Sequence, residues 1–350
     1  MAATNNKLTL PLLAAAMLQF APLALPAHAA APQVHSQAPG YYRMMLGEFE
    51  ITVLSDGTHA FPIDTVMNNL TPAQIGRDLD DAGLAQPLQG SINAFLVNTG
   101  KRLILIDAGA GTLYGDCCGR LLQHLSAAGY QPEQVDMVLL THLHKDHAGG
   151  VMRQGAAAFP NAVLRMAQGE ADYWLSKSEQ DAAPEFLRSF FDSARAAVAP
   201  YQAAGRFQPY AAYGQLEPGI RAVPAPGHTP GHAAYLVESQ GRKLLVWGDI
   251  VHVAPLQFPH PDATVKYDSD TAGAQRQRRE LLDMAASQRM VVGAAHIAFP
   301  GLGRIGKTGG PGATGTPATQ ADTAAAGGQV ATGGSYRWLP VNYEGTPGAD

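Results

Sequence analysis

Alternating and continuous apolar runs along the chain predict a mixed α/β fold. In the first half, alternating apolar and polar positions predict two hairpins, with strands over 42–46, 49–54, 91–98 and 102–106. The Ser-Asp-Gly segment at 55–57 predicts a turn after the second of these strands.

A continuous apolar run over 135–140 predicts a strand buried on both faces, and it leads directly into a histidine-rich segment. Amphipathic spacing predicts helices over 72–84, 118–128, 168–177, 184–204 and 270–287. Further strands are predicted over 220–224, 233–238, 243–247 and 290–293, with a last one within 336–343. Strands in both halves with helices between them predict a layered α/β fold whose active site lies at strand ends.

Three kinds of segment differ from the rest in composition. Residues 1–29 carry one charge and a broken apolar run ahead of Ala27-His28-Ala29, which predicts a secretory signal peptide cleaved near Ala29. Short tails are predicted at 30–40 and 344–350, and the Gly-, Thr-, Ala- and Pro-rich stretch 306–335 predicts a flexible insertion. One domain is therefore predicted over 41–343, in a periplasmic or secreted protein.

The overall composition fits a globular protein that acts on a small molecule. The 350 residues are 46% hydrophobic and 15% charged, with a formal net charge of -5. Clustered lysine and arginine, which nucleic acids and anionic membranes attract, are missing from the sequence, so neither partner is expected. The two cysteines, Cys117 and Cys118, are adjacent, and because a ring closed between neighbours is strained we expect free thiols.

Histidines and aspartates cluster where the apolar run 135–140 ends. Side chains alternate along a strand, so His142 and His144 point to one side and converge on one ion. Asp146 and His147 fall at the start of a predicted helix, from which they can bind a second ion nearby. This spacing predicts a site for two metal ions.

Three further candidate ligands follow apolar strands or a Gly- and Pro-rich turn, namely His228, Asp249 and His296. Taken alone, each residue of this kind more often caps a turn or is a structural histidine, and only together with the first cluster do they indicate metal binding. Imidazole and carboxylate ligands favour two divalent ions, zinc first, with manganese, cobalt or iron as alternatives. The other histidines are expected to be structural (His232) or at the surface (His35, His59, His124 and His260).

The motif His142-x-His144-x-Asp146-His147, with His228, Asp249 and His296, resembles the binuclear metallo-β-lactamase superfamily. Stretches at 128–135, 239–241 and 295–301 resemble its methyl parathion hydrolase-like branch. The resemblance implies an αββα four-layer sandwich and a homodimer.

The same resemblance implies a role for each candidate ligand. It assigns one ion to His142, His144 and His228, the other to Asp146, His147 and His296, and places Asp249 between them beside a bridging hydroxide. Asp107 is similar to an aspartate that orients a ligand histidine in this family. The 306–335 insertion departs from the family pattern.

Such a site predicts hydrolysis with the bridging hydroxide as nucleophile and with Asp146 and Asp249 as the catalytic carboxylates. Because Asp146 is engaged as a ligand, no free acid is left to protonate a poor leaving group, which favours aryl esters and aryl lactones, whose phenolate leaves without a proton. β-Lactamase activity is disfavoured, since enzymes with that activity carry cysteine or serine at the position of Asp249. A flavodiiron oxidoreductase is disfavoured because its family carries glutamate at the position of His144.

The resemblance also places aromatic residues around the metal site, namely Tyr114, Trp174 and Phe190. His252 and Tyr267 stand where organophosphate-hydrolysing members carry leucine, so an arylesterase or lactonase is predicted. A methyl parathion-type phosphotriester hydrolase is the alternative substrate assignment. A non-enzymatic metal-binding scaffold is the alternative of another class.

Overall fold

The computed structural model describes residues 1–2, 31–308 and 335–343. The helices and strands described here lie in one compact unit that begins at Pro39. Before that unit, residues 31–38 are exposed and have no helix or strand. Almost all of the predicted signal peptide, the 344–350 tail and most of the 306–335 insertion lie outside the described residues.

The strands of the described chain fall into two large sheets and two small ribbons. In chain order they are β1 (Tyr41–Leu46), β2 (Phe49–Phe61), β3 (Met67–Asn68), β4 (Leu88–Asn98), β5 (Leu103–Ile106), β6 (Met137–Leu139), β7 (Met152–Arg153), β8 (Ala156–Ala157), β9 (Val163–Arg165), β10 (Gly214–Glu217), β11 (Ile220–Pro224), β12 (Ala233–Ser239), β13 (Arg242–Val246), β14 (Thr264–Val265), β15 (Val291–Gly293), β16 (Leu302–Lys307) and β17 (Tyr336–Pro340).

The first large sheet has the strand order β1-β2-β4-β5-β6-β9, and the second has β10-β11-β12-β13-β15-β16-β17. Most neighbouring strands are antiparallel, but β5, β6 and β9 run parallel, as do β13 and β15. The two ribbons pair β3 with β14 and β7 with β8.

Helices cover the outer faces of the sheets and connect their strands. In chain order the α-helices of the described residues are α1 (Ile63–Val66), α2 (Pro72–Asp81), α3 (Leu121–Ala127), α4 (Lys145–Ala148), α5 (Gln168–Trp174), α6 (Lys177–Ala182), α7 (Glu185–Ala203), α8 (Ala254–Gln257) and α9 (Thr271–Ser287). None of the helices within the described ranges is long and apolar enough to cross a membrane.

Strand alternation explains how the layers form. In β4, Phe95 and Val97 face the second sheet and join the core between the two sheets, whereas Ala94 and Leu96 face outward. The outward face packs against α3, α5 and α7, for example through Phe191. Full burial of a side chain of this size stabilises the fold by about 1.5–3 kcal/mol.

The outer face of the second sheet is covered in the same way. Leu281 and Leu282 of α9 pack with Leu245 and Trp247 in a separate buried cluster. Helices, sheet, sheet and helices thus follow one another, which confirms the predicted four-layer αββα sandwich.

The predicted turn at 55–57 is wrong, because β2 continues past it to Phe61 with a β-bulge in its pairing to β4. The buried carboxylate of Asp56 accounts for the bulge. It accepts hydrogen bonds of 2.9–3.1 Å from three backbone N–H groups, those of Ala110, Gly119 and Leu121.

The predicted insertion begins later than the composition suggested. β16 extends to Lys307, which pairs with Tyr336 at the start of β17. The first residues of the 306–335 range therefore belong to the sheet, and the last strand, predicted within 336–343, is confirmed at Tyr336–Pro340.

Candidate metal centre

All seven predicted ligands come together just beyond the ends of strands. His142 and His144 follow β6, His228 follows β11, Asp249 follows β13 and His296 follows β15. Backbone geometry changes at His144, whose extended φ and ψ of -63° and 151° precede the short helix α4. Because the chain turns there, Asp146 and His147 of α4 lie beside the two preceding histidines.

The ligand atoms form two main groups that lie next to each other. His142, His144, His228 and Asp249 each offer one ligand atom within 4.8 Å of the others. Asp146, His147 and His296 form a second such group. Each aspartate in these groups is at most 8% exposed, and the histidines are as buried or more so.

The carboxylate of Asp249 contacts both groups. Its Oδ1 lies 3.0 Å from Nε2 of His147 and 3.1 Å from Nε2 of His296. Its Oδ2 lies 3.1 Å from Nε2 of His228 and 3.5 Å from Nε2 of His142. One oxygen atom therefore faces each group.

The arrangement and chemistry of the donor atoms at this site suit divalent cations. Nε2 of His142 is buried, has no hydrogen-bond partner and lies 3.5 Å from Oδ2 of Asp249. Nδ1 of His144 faces Nε2 of His228 at 3.0 Å in the same group. Buried polar atoms are almost always satisfied by a partner, so nitrogens gathered around a carboxylate in this way indicate a cation site. Nitrogen and carboxylate donors together are those that zinc and its neighbours prefer.

Burial and charge determine the protonation of the histidines. Burial holds the pKa of His142 and of His144 well below the usual value, so both are neutral and able to bind metal. Burial also lowers the pKa of His147, but the carboxylates of Asp249 and Asp107 outweigh it and raise that pKa well above its usual value.

Hydrogen bonds to the far nitrogen of each ring fix the orientation of several candidate ligands. Nδ1 of His147 lies 2.9 Å from Oδ2 of Asp107, which is where the sequence comparison placed an orienting aspartate. Nδ1 of His228 lies 2.7 Å from Oδ1 of Asp268, a partner that sequence reasoning missed. His296 donates from Nδ1 toward a backbone carbonyl, 2.9 Å away.

Glu170 connects the two loops that carry the first group of ligands, and it too was missed. Its Oε1 accepts a hydrogen bond of 2.8 Å from the backbone N–H of Leu143, between His142 and His144. Its Oε2 accepts from the hydroxyl of Thr229 at 2.7 Å and from the N–H of Gly231 at 3.0 Å. Burial raises the pKa of Glu170 to about 7. No local motif marks this residue, because its partners lie in distant parts of the chain.

A cavity of about 390 Å³ opens onto the two groups of ligands, and we call it the active cavity. Its walls are formed by His59, Ala60, Phe61, Pro62, Tyr114, His144, Lys145, Asp146, Phe186, Phe190, His228, Asp249, His252, Tyr267 and His296.

Of the five predicted pocket residues, Tyr114, Phe190, His252 and Tyr267 line the active cavity. The prediction for Trp174 is wrong, because this side chain is only 1% exposed and belongs to the core beneath the cavity. Its ring packs edge-on against His144, with centroids 5.1 Å apart, so it supports a candidate ligand.

Two histidines expected at the surface are elsewhere. His59 lines the active cavity, where its ring lies 5.2 Å from that of Tyr114. His124 is buried, with Nδ1 2.6 Å from the carbonyl oxygen of Ser55. His59 lies in the part of β2 that extends beyond the predicted turn, whereas His124 belongs to α3, which packs against β2.

His232 and the cysteines have the structural character that the sequence predicts. Burial lowers the pKa of His232 to about 3, and its Nε2 accepts a hydrogen bond of 3.1 Å from the backbone N–H of Asp249. Cys117 and Cys118 are free thiols with sulfur atoms 2.8 Å apart, and burial raises the pKa of Cys118.

Comparison with known proteins identifies the fold family. The sequence profile of the Metallo-beta-lactamase superfamily matches residues 88–296, a range that contains all seven candidate ligands. The crystal structure of AbOPH, a hydrolase in the beta lactamase superfamily, is similar over 89% of this chain and 100% of that chain, with 35% identity and a TM-score of 0.78.

A second solved structure is AidC, described as a dizinc quorum-quenching lactonase in complex with a product. It is 26% identical, covers 87% of this chain and 99% of that chain, and has a TM-score of 0.75. Among curated proteins, a probable metallo-hydrolase of Mycobacterium tuberculosis is 30% identical over 194 residues, 46% of this chain. The match spans 59% of that relative's length.

The profile match, the four-layer sandwich and the paired histidine groups agree, and the chain belongs to the metallo-β-lactamase superfamily.

Proposed function

We propose that this chain is a binuclear metal-dependent hydrolase of aryl esters and lactones. The observation that supports this most directly is the position of Asp249, whose two carboxylate oxygens face two separate histidine groups at the base of the active cavity. The similarity to AidC, a dizinc lactonase, supports both the metal pair and the substrate class.

The seven candidate ligands would bind two metal ions between them. His142, His144 and His228 would bind one ion, Asp146, His147 and His296 the other, and Asp249 both. Two divalent ions at this place, zinc first, would supply water activated as a nucleophile and would polarise the scissile carbonyl.

Aromatic side chains of the active cavity would bind the substrate. Tyr114, Phe190 and Tyr267 offer ring faces on which an aryl group can stack. Burial raises the pKa of both tyrosines, so their hydroxyl groups keep their protons at neutral pH and can donate to an ester or lactone oxygen.

The acids of the active cavity restrict the leaving group. Of the described residues that line it, the acidic ones are Asp146 and Asp249, and both face the histidines. A leaving group that needs a proton from a carboxylic acid would not obtain one there, whereas a phenolate leaves without it.

The methyl parathion hydrolase-like branch is part of the proposal, with a changed substrate preference. His252 and Tyr267 line the active cavity as polar groups, which favours a carbonyl substrate over a bulky, apolar phosphotriester. The phosphotriester hydrolase is therefore the alternative outcome of the test below.

We also propose that the chain forms a homodimer and is exported from the cytoplasm. Light scattering tests the homodimer, and N-terminal sequencing of the exported protein tests the export.

The deciding experiment compares substrates on the purified, metal-loaded chain. We expect a higher kcat/KM for phenyl acetate and dihydrocoumarin, which both release a phenolate, than for methyl parathion. A higher value for methyl parathion would overturn the preference for carbonyl substrates.

Metal removal tests the enzymatic class itself. A chelator should abolish hydrolysis, and zinc should restore it. Hydrolysis that survives complete removal of metal, verified by elemental analysis, would contradict the mechanism. A chain that binds two metals but hydrolyses none of the three substrates would support the non-enzymatic scaffold.

A further inference from the structure

Lys145 places an ammonium group on the wall of the active cavity. Its Nζ lies 4.7 Å from the centroid of the Tyr114 ring and 5.1 Å from that of Phe190, so two aromatic faces hold the cation in position. The residue lies between two candidate ligands in sequence, His144 and Asp146.

The ammonium group has no oxygen partner among the described residues. Neither a hydrogen bond nor an ion pair links it to any of them, although an ammonium group has three N–H donors. The neighbouring carboxylate of Asp146 does not supply one, because its Oδ2 faces His147 and His296 at 3.8 and 3.6 Å. The donors of Lys145 are therefore available to a molecule in the cavity.

Lys145 is also the single lysine or arginine in the described lining of the active cavity. The remaining walls consist of Ala60, Pro62, aromatic rings, histidines and the two aspartates. A fixed positive charge beside aromatic faces matches a ligand that combines an aryl ring with a negatively charged group.

We propose that Lys145 binds an anionic substituent of the substrate, and that the preferred substrates are aryl esters or lactones whose ring carries a carboxylate. This inference rests on the proposed function for the reaction, and it adds a charge requirement to the substrate class. Rings that hold the ammonium group in advance reduce the entropy lost when the carboxylate binds.

A matched pair of substrates tests the charge requirement. 4-Acetoxybenzoate and 4-acetoxybenzamide have nearly the same shape, but only the first is an anion. In the wild-type chain we expect the kcat/KM ratio of acid to amide to fall as salt is added, because added salt screens charge attraction. In Lys145→Met the ratio should drop by roughly tenfold, mainly through KM, as expected for loss of a hydrogen bond to a charged group.

Two variants serve as controls. Lys145→Arg keeps the charge and should retain most of the ratio. Lys101→Met removes a charge of the same sign from an exposed turn and should leave the ratio unchanged. Metal content of each variant is measured first, since Lys145 adjoins candidate ligands. An equal acid-to-amide ratio in wild type and Lys145→Met would overturn the inference.

A binding measurement separates this inference from the proposed function. Calorimetry compares 4-hydroxybenzoate with 4-hydroxybenzamide on the wild-type chain and on Lys145→Met. Weaker binding of the acid alone in the variant supports the anion subsite even if neither ester is hydrolysed, in which case only the proposed function fails. Unchanged binding of the acid, together with normal ester hydrolysis, contradicts the subsite and leaves the proposed function standing.

Discussion

Asp249 lies 3.0 Å from His147, measured from the carboxylate Oδ1 to the imidazole Nε2. The other oxygen of the same carboxylate faces His142 and His228, which belong to the first group of ligands. Burial alone would raise the pKa of Asp249, but the surrounding imidazoles, His147 first, lower it well below its usual range. The carboxylate is thus ionised and positioned to share its charge between two cations.

Replacing this carboxylate should therefore affect both metals at once. We expect Asp249→Asn to bind fewer than two zinc ions per chain and to lose more than about 100-fold in kcat/KM, since even indirect partners of metal ligands are worth 10–100-fold. Elemental analysis and ester hydrolysis measure the two effects. Asp64→Asn, a change to an exposed acid in α1, is the control. Full occupancy by two zinc ions in Asp249→Asn would show that this residue does not bridge.

The pKa of His228 predicts how the metal-free chain responds to pH. Burial lowers this pKa, but Asp249 and Asp268 outweigh it and raise it to about 9, above the ordinary 6.5. The ion pair is then fully present below pH 6.5, and its stabilisation is lost as pH rises through 9, a change on the order of 3 kcal/mol.

Urea unfolding of the chelated chain between pH 6 and 9 measures this change. Because the pKa of His147 is raised as well, the comparison with Asp268→Asn isolates the contribution of His228. The variant should show a smaller loss of unfolding free energy across this range. An identical pH dependence in both chains would refute the assignment.

The candidate ligands could be predicted because each lies in or next to a recognisable local sequence pattern. Four of them lie within six residues, His142 to His147, and the others directly follow apolar strands or a glycine-rich turn. The layers could also be predicted, because the segment 94–97 of β4 is a continuous apolar run, as a strand buried on both faces requires.

What escaped prediction depends on distant packing. Glu170 forms hydrogen bonds with residues 27 and 59 positions away in the sequence, and no local sequence pattern predicts such contacts. Trp174 was predicted to line the cavity but lies in the core, because the position of a residue in a helix does not show which neighbours its side chain contacts. The bulge at Asp56 replaced a turn because its carboxylate found three backbone donors in another loop.

Glu170 should be needed for metal affinity although it is not a predicted ligand. Glu170→Gln puts an NH₂ group where a carboxylate oxygen now accepts hydrogen bonds. The buried N–H and O–H donors that face this oxygen would then lack an acceptor, which costs about 1–3 kcal/mol of folding free energy. We expect a lower Tm and weaker zinc binding, measured by competition with a chromogenic chelator. Glu179→Gln, at an exposed position of α6, is the matched control. Wild-type zinc affinity in Glu170→Gln would restrict this residue to a purely structural role.

His252 should determine the balance between carbonyl and phosphoryl substrates. Its Nε2 lies 3.1 Å from Oδ2 of Asp249, and its ring stacks on that of His296, with centroids 5.5 Å apart. His252→Leu removes the polar contact and makes this wall of the active cavity apolar. We expect the kcat/KM ratio of methyl parathion to phenyl acetate to rise by roughly tenfold, the scale on which pocket contacts discriminate substrates.

The conservative variant His252→Gln retains a polar side chain beside Asp249 and should shift the ratio much less than leucine does. Metal content is measured in both, because a lost ion would lower both activities without changing their ratio in a defined direction. If leucine and glutamine shift the ratio equally, the size of the side chain decides the preference, and the hydrogen bond at His252 does not.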